Sequence, residues 1–320
     1  MAISTVTGAV GLDDLGKTLM HEHLVVGSSG WELDPNPRLS WQDELLLCVD
    51  RIEELKAAGY RTLVDPCPND MGRDVKILFE AAARTNFNII CATGFYNEEQ
   101  GGNRYWVNLS QWDPDFVDRL ADLMISELTD GVKTVGVRPG VIKLSTAHPP
   151  MTDYERKVFT AGAKASLATG APIMTHTDAV LGDEQAAFLI SLGVAPHKII
   201  IGHCCGSSDH SYHRKIIDSG VYVGFDRFGI EMLAPDESRV ESILKLLREG
   251  LWKQLIVSHD TTCSFRGNID VSSMLDLTVH QPLRFERVIA PRLLQAGVSK
   301  AELEGLLTEN PRRYFAGEPF

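Results

Sequence analysis

Short apolar, β-branched runs alternate with amphipathic segments along most of the chain. Several runs, such as Ile199–Ile201, are apolar throughout, as expected when helices cover both faces of a parallel sheet. Apolar residues recur every three to four positions in the intervening segments, which predicts helices. The eight predicted strands are Thr18–Val26, Arg61–Asp65, Asn88–Gly94, Gly136–Leu144, Pro172–His176, Lys198–His203, Val221–Phe225 and Gln254–Ser258.

Capping residues support the predicted helices. Ser40 precedes one apolar stripe, and Thr152 with Glu155 forms a capping box at the start of another. Eight strand–helix pairs without a break in composition predict an α/β fold, a single (β/α)8 barrel over residues 1–320. A doubly wound sheet is disfavoured because no GxGxxG motif follows the first strand. Residues 1–15 are predicted to form a short N-terminal β-hairpin.

Length, charge and cysteine usage narrow the class of protein. A chain of 320 residues suits one large barrel, and a net charge of −12 argues against nucleic-acid binding. The sequence has no signal-peptide pattern and no apolar run near the roughly 18 residues of a membrane span. Its six cysteines are scattered, which suits thiols in a reducing compartment. We therefore expect a cytoplasmic protein without nucleic-acid or membrane partners.

Metal-binding side chains fall at the ends of predicted strands. They are His21, His23, His176 and His203, with Asp260 directly after the last strand. One strand-end histidine is more often a hydrogen-bonded core residue, but the joint pattern in a barrel favours a metal site. Because a strand alternates its faces, His21 and His23 should project the same way and Glu22 outward.

The other histidines are expected to lie outside this site. Those in predicted loops and helices should face solvent, and His259 should point to the opposite side of the strand from Asp260. The loop and helix group is His148, His197, His210, His213 and His280.

Lys143 lies inside an apolar predicted strand, where a charged amine is costly unless it is paired or neutralised. It is either a snorkelling lysine near the strand end or a neutral amine able to react with CO₂. The resulting carbamate would bridge two metals. The residues alone leave both interpretations open.

The segment Gly16–His23 resembles the G-x-T-L-x-H-E-H signature of the phosphotriesterase family within the amidohydrolase superfamily. The resemblance continues in order along the chain, through 140–145, 175–178, 202–204 and 258–260. It implies a (β/α)8 barrel with two divalent ions, Zn or a mixture of Fe, Co, Mn and Zn. The implied ligands are His21, His23 and Asp260 for the buried ion, His176 and His203 for the exposed ion, and carboxylated Lys143 with a hydroxide as bridges.

The resemblance also implies a mechanism. The bridging hydroxide would attack a carbonyl carbon or phosphorus while the exposed ion polarises the substrate oxygen. Asp260 would accept the proton and deliver it to the leaving group. On this reading Asp260, Lys143, Tyr96 and Arg227 are the catalytic residues.

Two positions are most similar to the phosphotriesterase-like lactonases. Arg227 lies in a similar Asp-Arg turn, and Tyr96 follows the third strand, where the lactonases use a tyrosine to orient the lactone. Without such roles, Tyr96 would be a packing residue and Arg227 an ion-pair partner of Asp226 or Glu231. The chain from Arg227 to the helix at Asp236 is short, whereas organophosphate-degrading members carry a longer insertion there and usually lack this arginine.

The loop after the last strand departs from those lactonases. Those lactonases place a tryptophan later in this loop to cover the acyl chain, and here Phe265 would substitute for it. The mismatch leaves open both the chain-length preference and the class of lactone. The expected substrate contacts are Tyr96, Arg227, Phe228, Cys263 and Phe265.

The sequence thus predicts a lactonase for N-acyl-homoserine lactones, a quorum-quenching activity, or related lactones, with promiscuous organophosphate triester hydrolysis. A true phosphotriesterase or a carboxylesterase on the same scaffold is the alternative, and a non-catalytic metal-binding protein is disfavoured. Family members are commonly homodimers, so a homodimer is expected.

Overall fold

The computed structural model describes residues 2–270, 276, 279 and 281–320. Its strands are β1 (Ala2–Thr5), β2 (Gly8–Gly11), β3 (Thr18–Leu19), β4 (His23–Val26), β5 (Thr62–Asp65), β6 (Asn88–Gly94), β7 (Val141–Ser145), β8 (Ile173–His176), β9 (Ile199–Ile201), β10 (Tyr222–Phe225), β11 (Leu255–Val257) and β12 (Thr262–Phe265). Its helices are α1 (Trp41–Ala57), α2 (Val75–Thr85), α3 (Arg104–Trp112), α4 (Phe116–Thr129), α5 (Asp153–Thr169), α6 (Gly182–Ser191), α7 (His210–Asp218), α8 (Asp236–Arg248), α9 (Ala290–Gln295), α10 (Lys300–Leu307) and α11 (Glu309–Ala316).

Eight strands form one parallel sheet in the order β3-β5-β6-β7-β8-β9-β10-β11, which confirms the predicted barrel. The register places Gly94 of β6 beside Lys143 of β7. The sheet is nearly closed, because beyond its two edge strands the N–H of Asp260 donates to the carbonyl oxygen of His21 at 3.0 Å. The carboxyl ends of the strands therefore share one face, where barrel enzymes place their active sites.

The core has two layers, because alternate strand residues point into the barrel or out towards the helices. Outward residues such as Leu144 and Ile201 pack under the helices. The antiparallel β1–β2 hairpin was predicted from the sequence. Its Ile3 and Tyr314 of α11 complete the inner layer of the core. Within the described residues, no helix is long and apolar enough to span a bilayer.

The first predicted strand, Thr18–Val26, is interrupted in the structure. Only β3 belongs to the barrel sheet, and the chain bends at His21 before β4 pairs in parallel with β12. The expectation that His21 and His23 alternate along one continuous strand is therefore wrong. Their shared direction needs another cause, which the hydrogen bonds of the site supply.

The helix caps generate a stability prediction. Thr152 accepts a hydrogen bond from the N–H of Glu155, whose side chain accepts in return from the N–H of Thr152. Thr152→Ala should lower the free energy of unfolding by about 0.5–2 kcal/mol, measured by urea denaturation. Thr160→Ala, at a half-buried site within the same helix whose hydroxyl donates to the carbonyl oxygen of Arg156, is the control and should change it by less than about 0.5 kcal/mol. Equal losses in both variants would show that the cap contributes nothing specific.

Candidate active site

A cavity of about 320 Å³ opens at the carboxyl ends of the barrel strands. Tyr96, Arg227 and Phe265 line it, as the sequence predicted. Its polar floor brings together every predicted metal ligand: His21, His23, Lys143, His176, His203 and Asp260.

The Asp260 carboxylate lies at the centre of this floor. Its Oδ1 is 3.4 Å from Nε2 of His21 and 3.3 Å from Nε2 of His23. Its Oδ2 is 3.7 Å from Nε2 of His203. Asp260 follows β11 at one edge of the barrel sheet, and its carboxylate contacts His21, which follows β3 at the other edge, His23 on β4, and His203, which follows β9.

The donor atoms of the floor fit divalent metal ions. One ligand atom each from His21, His23 and Asp260 lies within 4.8 Å of the others. Imidazole nitrogens and carboxylate oxygens suit Zn, Mn, Co and Fe. Burial lowers the pKa of His176 to about 4 and that of His203 well below its usual value. Both rings are therefore neutral at neutral pH, which is the form that binds a metal.

Lys143 points into the barrel from β7 and is 2% exposed. Its Nζ is 3.3 Å from Nε2 of His21, and burial lowers its pKa to about 8. A lysine with this pKa holds an appreciable fraction of neutral, nucleophilic amine near pH 7. A Cβ at Gly94, where φ is +132°, would collide with the carbonyl oxygen of Lys143, so the neighbouring strand can pass here only with glycine.

Two buried aspartates, not singled out from the sequence, orient the imidazoles. Asp226 accepts hydrogen bonds from Nδ1 of His21 at 2.9 Å and from Nδ1 of His203 at 3.1 Å. Asp65 accepts one from Nδ1 of His23 at 3.2 Å. These bonds assign the tautomer of each ring and turn its Nε2 towards the cavity. The only signal in the sequence was their position at or just after a strand end.

Tyr96 reaches the floor from the loop after β6. Its hydroxyl oxygen is 3.3 Å from Nε2 of His176, and the rings meet edge to face. Burial raises the pKa of Tyr96 above its usual value, so the hydroxyl keeps its proton and can donate a hydrogen bond.

Arg227 is paired with the floor. Its Nε donates to Oδ2 of Asp260 at 2.8 Å. The two other partners considered from the sequence are occupied elsewhere, because Asp226 accepts from the histidines and Glu231 pairs with Arg284. Arg227 therefore restrains the carboxylate at the centre of the site.

Two predicted substrate contacts do not line the cavity. Phe228 is buried, and its ring packs against Phe285 with centroids 5.7 Å apart. Cys263 packs towards α1, where its thiol hydrogen-bonds to that of Cys48. The two corrections have separate causes. Cys263 lies on β12, which pairs with β4 outside the barrel sheet, whereas Phe228 follows β10 and packs against a distant segment of the chain.

The cavity wall is apolar, and apart from Phe265 its residues were missed by the sequence analysis. Met232 and Leu233 are 62% and 54% exposed, so this wall offers apolar surface to whatever enters. The apolar wall, as distinct from the floor, consists of Val26, Pro68, Met71, Ile230, Met232, Leu233 and Phe265.

Three further expectations about polar residues can be compared with the structure. His259 and Glu22 both lie outside the cavity lining, as expected, but Glu22 is buried and accepts from Nδ1 of His259 at 2.7 Å. His213 is also buried, contrary to expectation, with Nε2 2.9 Å from the carbonyl oxygen of Cys204. His280 lies outside the described residues.

Comparisons with known proteins agree with this geometry. The model of the phosphotriesterase family matches residues 1–315. A "phosphotriesterase homology protein" of Mycobacterium tuberculosis is 32% identical, covering 98% of this chain and 97% of the relative, and an "aryldialkylphosphatase" of Saccharolobus solfataricus is 30% identical, covering 95% and 96%. A crystal structure of a mutant PTE-like lactonase from Deinococcus radiodurans superposes with a TM-score of 0.93 at 35% identity, covering 98% of this chain and 99% of that one.

The aspartate that serves two histidines gives a prediction about metal retention. Asp226→Asn keeps the shape but replaces one acceptor oxygen by a donor, so one imidazole loses its orienting bond. We expect metal affinity to fall about 10–100-fold, measured by metal analysis after dialysis against graded chelator.

Asp236→Asn is the matched control. Asp236 is also a buried carboxylate that accepts several hydrogen bonds, but it lies outside the cavity lining. The Asp236→Asn protein should have a lower free energy of unfolding but an unchanged metal content. Equal metal content in the two variants would contradict the orienting role of Asp226.

Proposed function

The chain belongs to the phosphotriesterase family and is a metal-dependent hydrolase of ester bonds, and from that premise we propose that its substrates are lactones. The proposed reaction opens the ring of N-acyl-homoserine lactones or related lactones. Hydrolysis of organophosphate triesters is a slower side activity.

The observation that carries the proposal is the division of the cavity into a polar floor and an apolar wall. Among the described lining residues there are two long cationic side chains: Lys143 belongs to the floor, and Arg227 is paired with Asp260 of the floor. The described wall has no cation that could pair with a phosphate or carboxylate on the substrate tail. A neutral ester ring with an apolar tail matches this distribution of charge.

The wall is large enough to contribute binding energy. Each methylene that leaves water against it is worth about 0.8 kcal/mol. Met232 and Leu233 are exposed in the described chain and would be covered by such a tail. The tail thereby fixes the ring over the floor, which is the positioning that raises the effective concentration of the reacting groups.

The residues that would hold the metals are the six floor residues. His21, His23 and Asp260 would form one ligand group and His176 and His203 the other, and Lys143, as a carbamate, would add a further ligand. When bound, two divalent ions activate a water molecule as the nucleophile and polarise the ester carbonyl.

The protein's own groups then move the proton. The oxygen of water bonds to the carbonyl carbon, and its proton passes to a carboxylate oxygen of Asp260. The ring C–O bond breaks, and the same proton is delivered to the departing alkoxide, which yields a hydroxy acid. Arg227, at 2.8 Å from Oδ2 of Asp260, holds that carboxylate in place during both transfers.

Tyr96 orients the substrate. Its protonated hydroxyl, beside His176 on the floor, can donate to an oxygen of the lactone. The same donor can serve the phosphoryl oxygen of a triester, since negative charge grows on one oxygen in both reactions. This shared requirement supports the side activity.

A substrate panel tests the proposed function. Lactones with acyl chains of increasing length and a dialkyl aryl phosphate are assayed with and without chelator. We expect the best lactone to exceed the triester at least tenfold in kcat/KM. Each methylene that reaches the wall should improve kcat/KM by up to about fourfold. Chelator should abolish both activities.

The alternatives give different results in the same panel. A kcat/KM for the triester that exceeds every lactone tenfold would identify a true phosphotriesterase. A preference for open-chain aryl esters would identify a carboxylesterase.

Lysine carboxylation has its own test. Lys143→Ala should lose metal and turnover, and added acetate or propionate should partly restore both by replacing the carbamate. Lys157→Ala is the control, because Lys157 lies on α5 and donates to the carbonyl oxygen of Ser110, outside the cavity lining. The Lys157→Ala protein should keep its metal, and added short acids should not change its activity. Failure of every short acid to rescue Lys143→Ala would count against a bridging carbamate.

A further inference from the structure

Glu22 is a buried carboxylate that faces away from the cavity, between the two ligand residues His21 and His23. It is 2% exposed, and it is not among the residues that line the floor. Burying an ionised carboxylate is costly unless it is paired and hydrogen-bonded, so its partners indicate what it does.

All the described hydrogen-bond donors to Glu22 come from one short segment, 258–261. Oε1 accepts from the Ser258 hydroxyl at 2.8 Å and, from His259, from the backbone N–H at 2.9 Å and from Nδ1 at 2.7 Å. Oε2 accepts from the N–H of Thr261 at 2.9 Å and also from its hydroxyl. One carboxylate thus gathers the residues on both sides of Asp260.

Asp260 itself has a backbone conformation that needs support. Its φ is +55°, in the left-handed region, which costs a residue with a Cβ about 1–2 kcal/mol. Donors immediately before and after it are fixed to the same carboxylate. We call the hydrogen bonds between Glu22 and residues 258–261 the clamp. The clamp therefore holds the turn that directs the side chain of Asp260 to the floor.

The clamp also joins the two chain segments that supply one ligand group. The N–H of His21 donates to Ser258 Oγ at 3.0 Å, and the N–H of His23 donates to the carbonyl oxygen of Thr261 at 2.7 Å. The hydrogen bonds of Glu22 lie between these two hydrogen bonds that join the segments. The positions of His21, His23 and Asp260 relative to each other are thereby set in one interlocked unit.

His259 extends the unit to the helices. The N–H of Phe285 donates to Nε2 of His259 at 3.0 Å, and a backbone N–H can only donate. Nε2 is therefore the acceptor, so the ring proton lies on Nδ1 and is donated to Glu22. The neutral ring links the clamp to the short helical turn 285–289.

We propose that Glu22 is a positioning residue: through residues 258–261 it fixes the Asp260 carboxylate against His21 and His23 and so sets the affinity of that ligand group for a divalent metal. The proposal rests on the metal site of the proposed function, but not on the identity of the substrate. Glu22 touches neither the cavity nor the reacting groups.

The test measures metal binding without substrate. Apo protein is titrated with Co²⁺ alone, following affinity and the visible absorption of the bound ion, and apo stability is measured by thermal denaturation. In Glu22→Gln one oxygen becomes an NH₂ group facing donors of residues 258–261. We expect Co²⁺ affinity to fall at least about tenfold with an altered absorption spectrum. In turnover, kcat should fall with little change in KM.

Glu155→Gln is the matched control. Glu155 is equally buried and accepts from the N–H groups of Ala147 at 2.7 Å and Thr152 at 2.8 Å, outside the cavity lining. It should lower apo stability while leaving Co²⁺ affinity and spectrum within twofold of the unaltered protein. Glu22→Gln that binds Co²⁺ as tightly as this control, with an unchanged spectrum, would overturn the proposal.

A milder variant covers the case in which Glu22→Gln does not fold. Thr261→Val removes a single hydroxyl donor at nearly constant volume and should weaken Co²⁺ binding about threefold. Unchanged binding in Thr261→Val would overturn the proposal by itself. Because these titrations use no substrate, a failed lactone panel with weakened Co²⁺ binding would reject the lactonase assignment and retain the role of Glu22.

Discussion

The hydrogen bonds of Asp226 are the constraint on which the polar floor depends. A buried carboxylate must be satisfied, and this one is satisfied by Nδ1 of His21 and of His203, which arrive from β3 and β9. Satisfying Asp226 leaves both Nε2 atoms pointing at the cavity. One buried charge thus converts two histidines from separate strands into a single donor set, and Asp65 does the same for His23.

The barrel concentrates both its polar groups and its backbone strain at this face. Below the floor, the inward positions of the strands are apolar, for example Val141, two residues before Lys143. Two floor residues, His203 and Asp260, have positive φ. Such strain persists only where surrounding bonds determine the conformation, and here backbone N–H groups of both residues are hydrogen-bonded, to Asp226 and to the carbonyl oxygen of His21.

Site residues whose positions depend on the hydrophobic period and on the ends of strands were predictable from the sequence. Site residues whose positions depend on the path of a loop were not. His176 and His203 were identifiable because parallel strands place their carboxyl ends on one face. Asp226 and Asp65 were not, because a lone aspartate after a strand has no partner within reach in the sequence. Cys263 was assigned to the cavity because the pairing of β12 with β4 cannot be read from local pattern, and Phe228 because its partner Phe285 is distant in the sequence.

The histidines show the same division. His213 was expected at the surface, although its spacing of three and four residues from Ile216 and Ile217 places all three on one buried face of α7. Helical periodicity carried that information. For His21 and His23 the expected outcome was correct but the reason was not: their directions follow from Asp226 and Asp65, and the strand breaks between them.

Much of the wall comes from segments that contribute no metal ligand to the floor, and this separates chemistry from specificity. The floor residues stand at strand ends or in turns locked by buried carboxylates, so replacing one disturbs several segments at once. Ile230, Met232 and Leu233 belong to the segment between β10 and α8, and Met71 to the one between β5 and α2. Two of these four side chains are more than half exposed, so their replacement breaks few internal contacts. The wall can therefore be altered to suit another apolar tail while the metal-holding residues keep their geometry. If the proposed lactone and triester reactions share one charged oxygen in the transition state, the wall is where discrimination between those substrates would arise.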